Sequence, residues 1–484
     1  MRTLIKPSLL KISVIPLALM NIIAVFDLTG LATQAEYGLS SIFYYLFAGV
    51  FFLAPIAFVA AELAASLPQS GGVFRWVGEA FGPRWGFVAI FLQWANCTIF
   101  FPTSLTFAWV AFAYINPNLS LDQAISNNPV YTIAAVLIIF WSAVYATLRG
   151  LKTSTRTVII CGLIGTIIPA GILVLLGFLY LAQGNPIQIS LNWHTALPQF
   201  TGLGGLVLAT AIFLGFAGIE MSAIHIRNMA NPQKTYPIAL LFSGLFIVAI
   251  FILTTLPISF LISQANIDLT QSLIITFDKL FHFYGIAWAG PILAIALVLG
   301  IIGQVTVWLS GPAIALSSIG KAGFLPPLFH FTNTNGMPRN ILLLQGFIVS
   351  LLVVTFTILP SVQAVFQLLT QMAGSVYLII YMLMFSACIY LRYTQPELPR
   401  PFIIPGGKIG LWLCAGTGII SSLLGFALSF VPPSQIPVGS PVVYVTILIV
   451  GTAIFVGAPI LLFALRKPEW QIQGPENDLE PITT

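Results

Sequence analysis

Charged residues are scarce in this chain of 484 residues: they make up 6% of it, against 58% for hydrophobic residues. An ordinary soluble chain is about one quarter charged. A soluble fold of this length needs a wettable exterior, so the shortage of charge excludes that class. A lipid bilayer removes the requirement, because apolar side chains can face hydrocarbon when each backbone polar group is paired within its own helix.

Cysteine is also scarce, and the motifs of soluble catalysis are missing. Cys97, Cys161, Cys388 and Cys414 stand singly inside apolar runs, so they indicate neither a disulfide framework nor a metal site. The sequence has no G-x-x-x-x-G-K-[ST], no H-E-x-x-H and no G-x-S-x-G motif. We therefore predict no catalytic residues, no enzymatic activity, no metal and no cofactor.

Long apolar runs are what the chain does contain, and each is near the roughly 20 residues that a helix needs to cross a bilayer. These runs predict an all-α integral membrane protein with twelve transmembrane helices and the lipid bilayer as a partner. We expect one transmembrane domain over 1–466, with a core at 12–393, two additional helices over 409–466 and a polar cytoplasmic tail at 467–484. The predicted spans lie near 12–36, 40–66, 85–115, 129–147, 156–182, 203–229, 237–264, 286–316, 340–358, 362–393, 409–430 and 443–466.

The basic residues support this span count. With the N-terminus in the cytoplasm, 17 of the 18 lysines and arginines fall on cytoplasmic connections, and Lys279 alone falls outside. We therefore predict cytoplasmic N- and C-termini. The formal net charge of +5 follows from this asymmetry and indicates no nucleic-acid partner. Short amphipathic helices are expected on the cytoplasmic surface within 67–85 and on the outer surface within 265–285.

Two spans are interrupted near the middle. Span 1 contains Asp27-Leu28-Thr29-Gly30, and span 6 contains Gly215-Phe216-Ala217-Gly218. The two breaks stand five spans apart, as a 5+5 inverted repeat requires, and matched breaks point to a transporter's midplane site. Unwinding frees N–H groups for a carboxylate and C=O groups for an ammonium, so a zwitterion fits. The alternative is that the glycines only allow close helix packing.

A carboxylate inside a span is expected to have a function or a partner, because an ionised group at a helix centre costs roughly 2.5–3.5 kcal/mol on insertion scales. Asp27 and Glu220 adjoin the two breaks. They could cap freed N–H groups, meet a cationic group of the substrate or carry a proton, and structural capping alone is the alternative. No lysine or arginine stands in the middle of a span, which favours zwitterionic or side-chain-protonated amino acids over anionic ones.

Uncharged polar residues also stand inside spans. Asn96 is in span 3, and Gln304 and Trp308 are spaced i, i+4 in span 8. Span 10 has a row at i, i+4, i+8, consisting of Gln363, Gln367 and Gln371. Such a row could edge an aqueous path, or it could join neighbouring helices by hydrogen bonds.

Short motifs follow one another from about residue 25 to residue 410. They include Ala60-Ala61-Glu62-Leu63-Ala64, Gly71-Gly72-Val73-Phe74, Gly82-Pro83-Arg84-Trp85, Gly218-Ile219-Glu220, Asn231-Pro232, Gly311-Pro312 and Pro405-Gly406-Gly407-Lys408. Together they resemble the amino acid–polyamine–organocation (APC) superfamily, and more narrowly the bacterial glutamate/γ-aminobutyrate antiporter family.

The resemblance implies a LeuT-like fold, with two inverted repeats of five helices, discontinuous helices 1 and 6, and two further helices. It also implies exchange of one amino acid for another across the inner (plasma) membrane. Asp27 and Glu220 match acids of the family, so we assign both to proton or charge coupling. Gln304 stands where the antiporters carry a glutamate, and Ile314 where they carry an arginine, which predicts altered specificity. The chain is also expected to be too short for the family's C-terminal plug.

The predicted function is therefore secondary transport of small zwitterionic amino acids by an antiporter that resembles the glutamate/γ-aminobutyrate exchangers. A proton- or sodium-coupled symporter remains an alternative, and an ion channel or a membrane-embedded enzyme is a remote one. The predicted substrate-binding residues are Asp27, Leu28, Thr29, Gly30, Asn96, Gly215, Phe216, Gly218, Gln304 and Trp308.

Overall fold

The computed structural model of the chain describes residues 12–67, 71–115, 119–150, 160–229 and 231–471. Within these ranges, eleven helices are long and apolar enough to cross a membrane. Two shorter helices, span 1a (Val14–Val25) and span 1b (Leu31–Ala35), precede them and form a twelfth, interrupted span. The predicted all-α fold with twelve spans is thus confirmed. Spans 2 to 12 are Gly38–Ser66, Pro83–Ala113, Pro129–Leu148, Ile160–Ala182, Leu203–Ala223, Gln233–Leu261, Ala289–Lys321, Arg339–Thr357, Val362–Thr394, Gly407–Leu428 and Pro441–Ala464.

Helix starts follow local chemistry. Pro83, Pro129 and Pro441 stand in the first turns of spans 3, 4 and 12, where a missing N–H costs no intrahelical bond. Asn128 caps span 4 by accepting the N–H of Val130 at 2.9 Å. Signals of this kind are local, so the predicted limits differ from the observed ones by only a few residues.

Spans 3 and 10 form the interior of the bundle. In an apolar stretch of 18 residues from each span, the share that is buried inside the protein is 94% for span 3 and 72% for span 10. For span 12 the same share is 22%. Span 12 therefore faces mainly lipid, whereas spans 3 and 10 are surrounded by other helices. The ends of the spans near Glu62, Arg392 and Lys321 are called the basic face below, and the ends near Tyr37, Gly205 and Asp278 the opposite face.

The helix predicted within 67–85 exists, but its predicted surface position is wrong. It spans Val73–Phe81, and all its residues except Phe81 are buried. Arg75 and Glu79 form an ion pair of 2.6 Å inside the protein. A charged pair at i, i+4 resembles a solvated helix face in the sequence, and only the packing of spans around it encloses it. The helix predicted within 265–285 spans Ser272–Phe283.

A π-helical turn in span 2, Gly49–Leu53, supports the region of the second break. Ser421 of span 11 donates its hydroxyl to the carbonyl of Phe51 at 2.7 Å, which satisfies an acceptor in this turn. Phe52 in the same turn packs edge-on against Phe213 and Tyr381, with ring centroids 4.8 and 5.2 Å away. The turn thus positions an aromatic ring between spans 6 and 10.

The predicted tail at 467–484 begins with a 3-10 turn, Pro468–Trp470. Gln471 then pairs with Ala322 at the end of span 8 through an isolated antiparallel bridge. Residues 472–484 lie outside the described residues.

Candidate functional site

A cavity of about 110 Å³ lies where the two broken spans meet. Spans 1, 3, 6, 8 and 10 supply most of its wall. Leu28 and Gly218, both within the described ranges, do not line it. Eight of the ten predicted residues do: Asp27, Thr29, Gly30, Asn96, Gly215, Phe216, Gln304 and Trp308.

The first break covers residues 26–30, between spans 1a and 1b. Phe26 makes the last helical hydrogen bond of span 1a, from its N–H to the carbonyl of Ile22 at 2.8 Å. The Asp27 Oδ1 then accepts the N–H of Thr29 at 2.8 Å. This side-chain-to-backbone bond satisfies a donor that the unwound backbone leaves free, so Asp27 closes the turn from within the cavity wall.

The second break covers residues 216–218, between a helical segment, Thr210–Gly215, and a 3-10 segment, Ile219–Asn228. Gly218 has a φ of +101°, a conformation that favours glycine. Its N–H donates to the hydroxyl oxygen of Tyr381 at 2.9 Å. That donor is therefore already bound to span 10.

Glu220 lies behind the cavity wall. Its two carboxylate oxygens accept hydrogen bonds from the hydroxyls of Tyr377, at 2.9 Å, and Tyr381, at 2.8 Å. Tyr377 itself lines the cavity. Glu220 therefore contacts the cavity through a tyrosine, and one chain of hydrogen bonds joins Gly218, Tyr381, Glu220 and Tyr377 across spans 6 and 10.

The cavity wall is nearly uncharged. Among the described residues that form it, Asp27 is the one carboxylate, and there is no lysine, arginine or histidine. Aromatic rings fill much of the remaining surface. No three His, Cys, Asp or Glu side chains within the described ranges are grouped so that they could hold a metal ion. The site is therefore suited to a small solute that meets backbone dipoles, amides and aromatic rings.

Comparison with known proteins identifies the chain. The amino acid permease family matches residues 12–454, which is most of the chain. The chain belongs to that family. The predicted membership of the APC superfamily is thereby confirmed, and family members are membrane transporters.

Two relatives align with nearly the whole permease. An uncharacterized transporter of Legionella pneumophila is 37% identical over 459 residues, covering 95% of this chain and 97% of the relative. A glutamate/gamma-aminobutyrate antiporter of Lactococcus lactis is 30% identical over 438 residues, covering 90% and 86%. The narrower resemblance to the glutamate/γ-aminobutyrate antiporters is therefore confirmed as well.

A solved structure with a similar fold is MhsT in complex with L-phenylalanine. It has a TM-score of 0.56 and 13% identity, covering 85% of the permease and 98% of MhsT. At this identity the likeness establishes the fold, and it confirms the LeuT-like architecture with discontinuous helices 1 and 6.

The side walls of the permease cavity are formed by spans 3 and 8. Asn96 of span 3 donates one N–H of its Nδ2 to the carbonyl of Ala373 in span 10 at 2.8 Å, which leaves its carbonyl oxygen and its second N–H for other partners. Trp308 of span 8 lies against the second break: a Cβ built on Gly218 would come within 3.5 Å of its ring. Gln304 lies one turn before Trp308 and also lines the cavity.

Sequence reasoning missed several wall residues. Thr33 and Gln34 of span 1b line the cavity, as do Thr370 and Tyr377 of span 10. The spacing of Tyr377 and Tyr381, i and i+4 in span 10, was a usable signal because it places two hydroxyls on one helix face. Thr33 and Gln34 carried no such signal, since they lie beyond the break.

The glutamine row of span 10 joins parts of the protein together. Gln371 donates to the carbonyls of Ser429 and Val431 at 3.2 and 3.0 Å and also bonds Tyr444. Gln363 accepts the N–H of Leu269 at 3.4 Å. Of the two readings of this row, the structure therefore favours helix joining for these two residues.

Proposed function

We propose that this permease is a secondary antiporter that exchanges small zwitterionic amino acids across the inner membrane. The observation that carries the proposal is the cavity bounded by both broken spans, with a single carboxylate and no cation among its described wall residues. A zwitterion needs both donors and acceptors, and two unwound segments supply them from backbone groups. The 30% identity to a glutamate/gamma-aminobutyrate antiporter supports exchange as the mode of transport.

The substrate's α-carboxylate and ammonium would bind the backbone at 27–30 and 215–219. The carbonyls that end span 1a suit the ammonium, and Asp27 adds negative charge beside them. Backbone N–H groups at the breaks that turn toward the solute would suit the carboxylate. Asn96, Gln304 and Trp308 would contact the rest of the solute. The backbone thus recognises what all amino acids share, and the side walls discriminate between them.

Glu220 would couple transport to charge or protons. Both tyrosine hydroxyls donate to its carboxylate. Adding a proton to Glu220 would make one carboxyl oxygen a donor and weaken the bond that this oxygen accepts. Because Tyr381 also accepts from Gly218, that change would reach the second break. Glu220→Gln keeps the size of the side chain but cannot titrate. Exchange by this variant should lose pH dependence that the wild type has, and an unaltered pH profile would contradict the coupling role.

The basic face would lie in the cytoplasm together with both termini. The distribution of lysine and arginine supports this orientation. Single cysteines introduced at Lys279 and Lys321 test it in intact cells with a membrane-impermeant thiol reagent, in a background without the native cysteines. Position 279 should react and position 321 should not; the reverse pattern would overturn the orientation.

Exchange itself is tested in proteoliposomes. The full chain is reconstituted with or without unlabelled amino acids inside, and uptake of radiolabelled amino acids is followed. Uptake that depends on internal amino acid is the expected result. Equal uptake into empty and loaded vesicles would exclude exchange, and stimulation by an imposed proton or sodium gradient would then support a symporter.

A further inference from the structure

Two polar side chains in the cavity wall have unused hydrogen-bonding capacity. Thr33 and Gln34 belong to span 1b and are 1% and 3% exposed. In the described part of the chain, neither the Thr33 hydroxyl nor the Gln34 carbonyl oxygen has a hydrogen-bond partner. Both residues line the cavity on the side of the opposite face.

The orientation of the Gln34 amide is fixed by span 6. Its Nε2 donates to the carbonyl of Leu208 at 3.0 Å. A flipped amide would bring two acceptors together, so Nε2 must stay on Leu208. This orientation leaves the Gln34 Oε1 as an acceptor without a partner among the described residues, beside the second N–H of the same amide. Thr33 offers a hydroxyl, which can both donate and accept.

Three other polar side chains of the same wall, those of Thr370, Tyr45 and Tyr377, are already bonded within the protein. Thr370 donates its hydroxyl to the carbonyl of Phe366 at 2.8 Å, and the hydroxyls of Tyr45 and Thr255 bond each other at 3.0 Å. Tyr377 donates to Glu220. Buried polar groups are normally paired, because an unmade bond carries the desolvation cost of the group. Thr33 and Gln34 stand out against these neighbours, and at a cavity wall the missing partner can come from the solute.

We infer that Thr33 and Gln34 form a side-chain subsite that selects amino acids with a carboxamide side chain. This inference rests on the proposed function. A carboxamide matches both groups: its NH₂ donates to the Gln34 Oε1, and its carbonyl accepts from the Thr33 hydroxyl. A carboxylate would meet the Gln34 acceptor with no cation nearby, and a hydrocarbon would leave both groups unpaired. An ammonium on the substrate's side chain would lack a carboxylate partner of its own, because Asp27 is the one carboxylate among the described wall residues.

Competition in proteoliposomes tests the inference. Exchange of radiolabelled glutamine by the wild-type chain is challenged with asparagine, glutamate, leucine and a diamine, and asparagine should compete best. Thr33→Val and Gln34→Met keep side-chain volume and remove the polar atoms. Each should raise the ratio of the KM for glutamine to the KM for leucine by roughly three- to tenfold, as expected for one lost hydrogen bond.

Thr370→Val is the matched control for this ratio, because it removes a wall hydroxyl that is already bonded to its own helix. Ligand-induced thermal stabilisation of the wild type by the same compounds requires no variant to fold. If leucine, glutamate or the diamine is preferred, or if both KM values change equally in the variants, the subsite is overturned while exchange stands. If no amino acid is exchanged or bound, the proposed function fails, and the subsite fails with it.

Discussion

The hydroxyl of Tyr37 donates to the carbonyl of Gly205 at 2.8 Å and accepts the N–H of Ala209 at 2.9 Å. Two hydrogen bonds therefore join the end of span 1b to the start of span 6 on the opposite face. Gln435, in the loop between spans 11 and 12, donates to the same Gly205 carbonyl at 2.8 Å. These bonds tie the three segments together on this face, and a transporter that opens its cavity to this face must separate them.

Tyr37→Phe should favour the conformation that is open to the opposite face. The variant loses both hydrogen bonds of the hydroxyl. At about 0.5–1.5 kcal/mol for each bond, the open population should rise by roughly five- to a hundredfold. Cys97 lines the cavity and can report this change. In a protein without the other three cysteines, its rate of alkylation by a thiol reagent should increase. Tyr44→Phe is the control, since Tyr44 packs on the Tyr37 ring at a centroid distance of 4.6 Å. Equal rates in Tyr37→Phe and wild type would exclude a gating role.

Glu62 should be the most sensitive residue of the basic face. It accepts hydrogen bonds from Arg392 and from the N–H of Ile404, the latter at 2.8 Å, and it forms an ion pair with Arg400 at 3.6 Å. The three side chains are only 3 to 9% exposed. Glu62→Leu leaves buried arginines without their carboxylate, and we expect it to cost about 3–5 kcal/mol.

A lower melting temperature of the purified variant would measure this loss. Glu62→Leu combined with Arg392→Leu should regain part of it, because one of the uncompensated charges is then removed. If the loss of stability in the double variant equals the sum of the losses in Glu62→Leu and Arg392→Leu, the two residues are not coupled.

Gly218 and Gly215 should respond differently to alanine. Gly218 has a φ of +101°, where a side chain costs about 1–2 kcal/mol, and its N–H must stay on Tyr381. Gly215→Ala would add a methyl group 3.7 Å from the Phe251 ring, an ordinary contact. Gly218→Ala should therefore lower both the melting temperature and the uptake rate, whereas Gly215→Ala should keep the melting temperature. Equal melting temperatures would show that the second break tolerates other backbone conformations.

Spans 5 and 8 touch through glycine backbones. A Cβ on Gly165 would overlap the Gly300 backbone and lie 2.6 Å from the carbonyl oxygen of Ala296. Gly165→Ala should force the spans apart and cost about 1–3 kcal/mol, seen as a lower melting temperature. Gly171, on the same span, has open space within 4 Å among the described residues. Gly171→Ala is thus the matched control, and it should leave stability equal or slightly higher because alanine favours helix.

Asp122 lies outside the membrane-spanning helices, and it should make the stability of the protein depend on pH. It lies in a short helix, Leu119–Ser126, between spans 3 and 4. Burial, followed by the negative charge of Asp278, raises the pKa of Asp122 to about 6. Because this pKa exceeds that of the unfolded chain, the folded state binds the proton more tightly, and stability falls as the pH rises through about 6.

The wild-type permease should therefore melt at a higher temperature near about pH 5 than near about pH 7.5. Asp122→Asn should reduce that difference and raise the melting temperature at the higher pH. Asp278→Asn should reduce it less, since the charge of Asp278 is the smaller cause. An unchanged difference in Asp122→Asn would exclude Asp122 as its source.

The spans and both breaks could be predicted because their signals are local. A run of about 20 apolar residues must cross the bilayer wherever it lies in the fold. An acid and a glycine inside such a run, as at Asp27 and Gly30, interrupt it through the backbone of a few neighbouring residues. Asn96, Gln304 and Trp308 were identified by a similar argument, since polar residues inside a span need a partner.

Which face of each helix meets the cavity is a matter of helix rotation, and packing between distant segments sets that rotation. Thr370 and Tyr377 of span 10 face the cavity, whereas Gln371, beside Thr370 in the chain, bonds the loop after span 11. The Arg75–Glu79 pair was expected at a surface and is buried for the same reason.

The sequence by itself determined that this chain is a twelve-span membrane protein with two matched interruptions, because hydrophobic length and helix breaking are properties of short segments. The tertiary structure alone decided that Glu220 bonds two tyrosines, that Tyr37 bonds Gly205, and that Thr33 and Gln34 have atoms without a partner among the described residues at the cavity wall. Each of these facts depends on atoms from segments far apart in the chain, whose approach is fixed only when the helices pack.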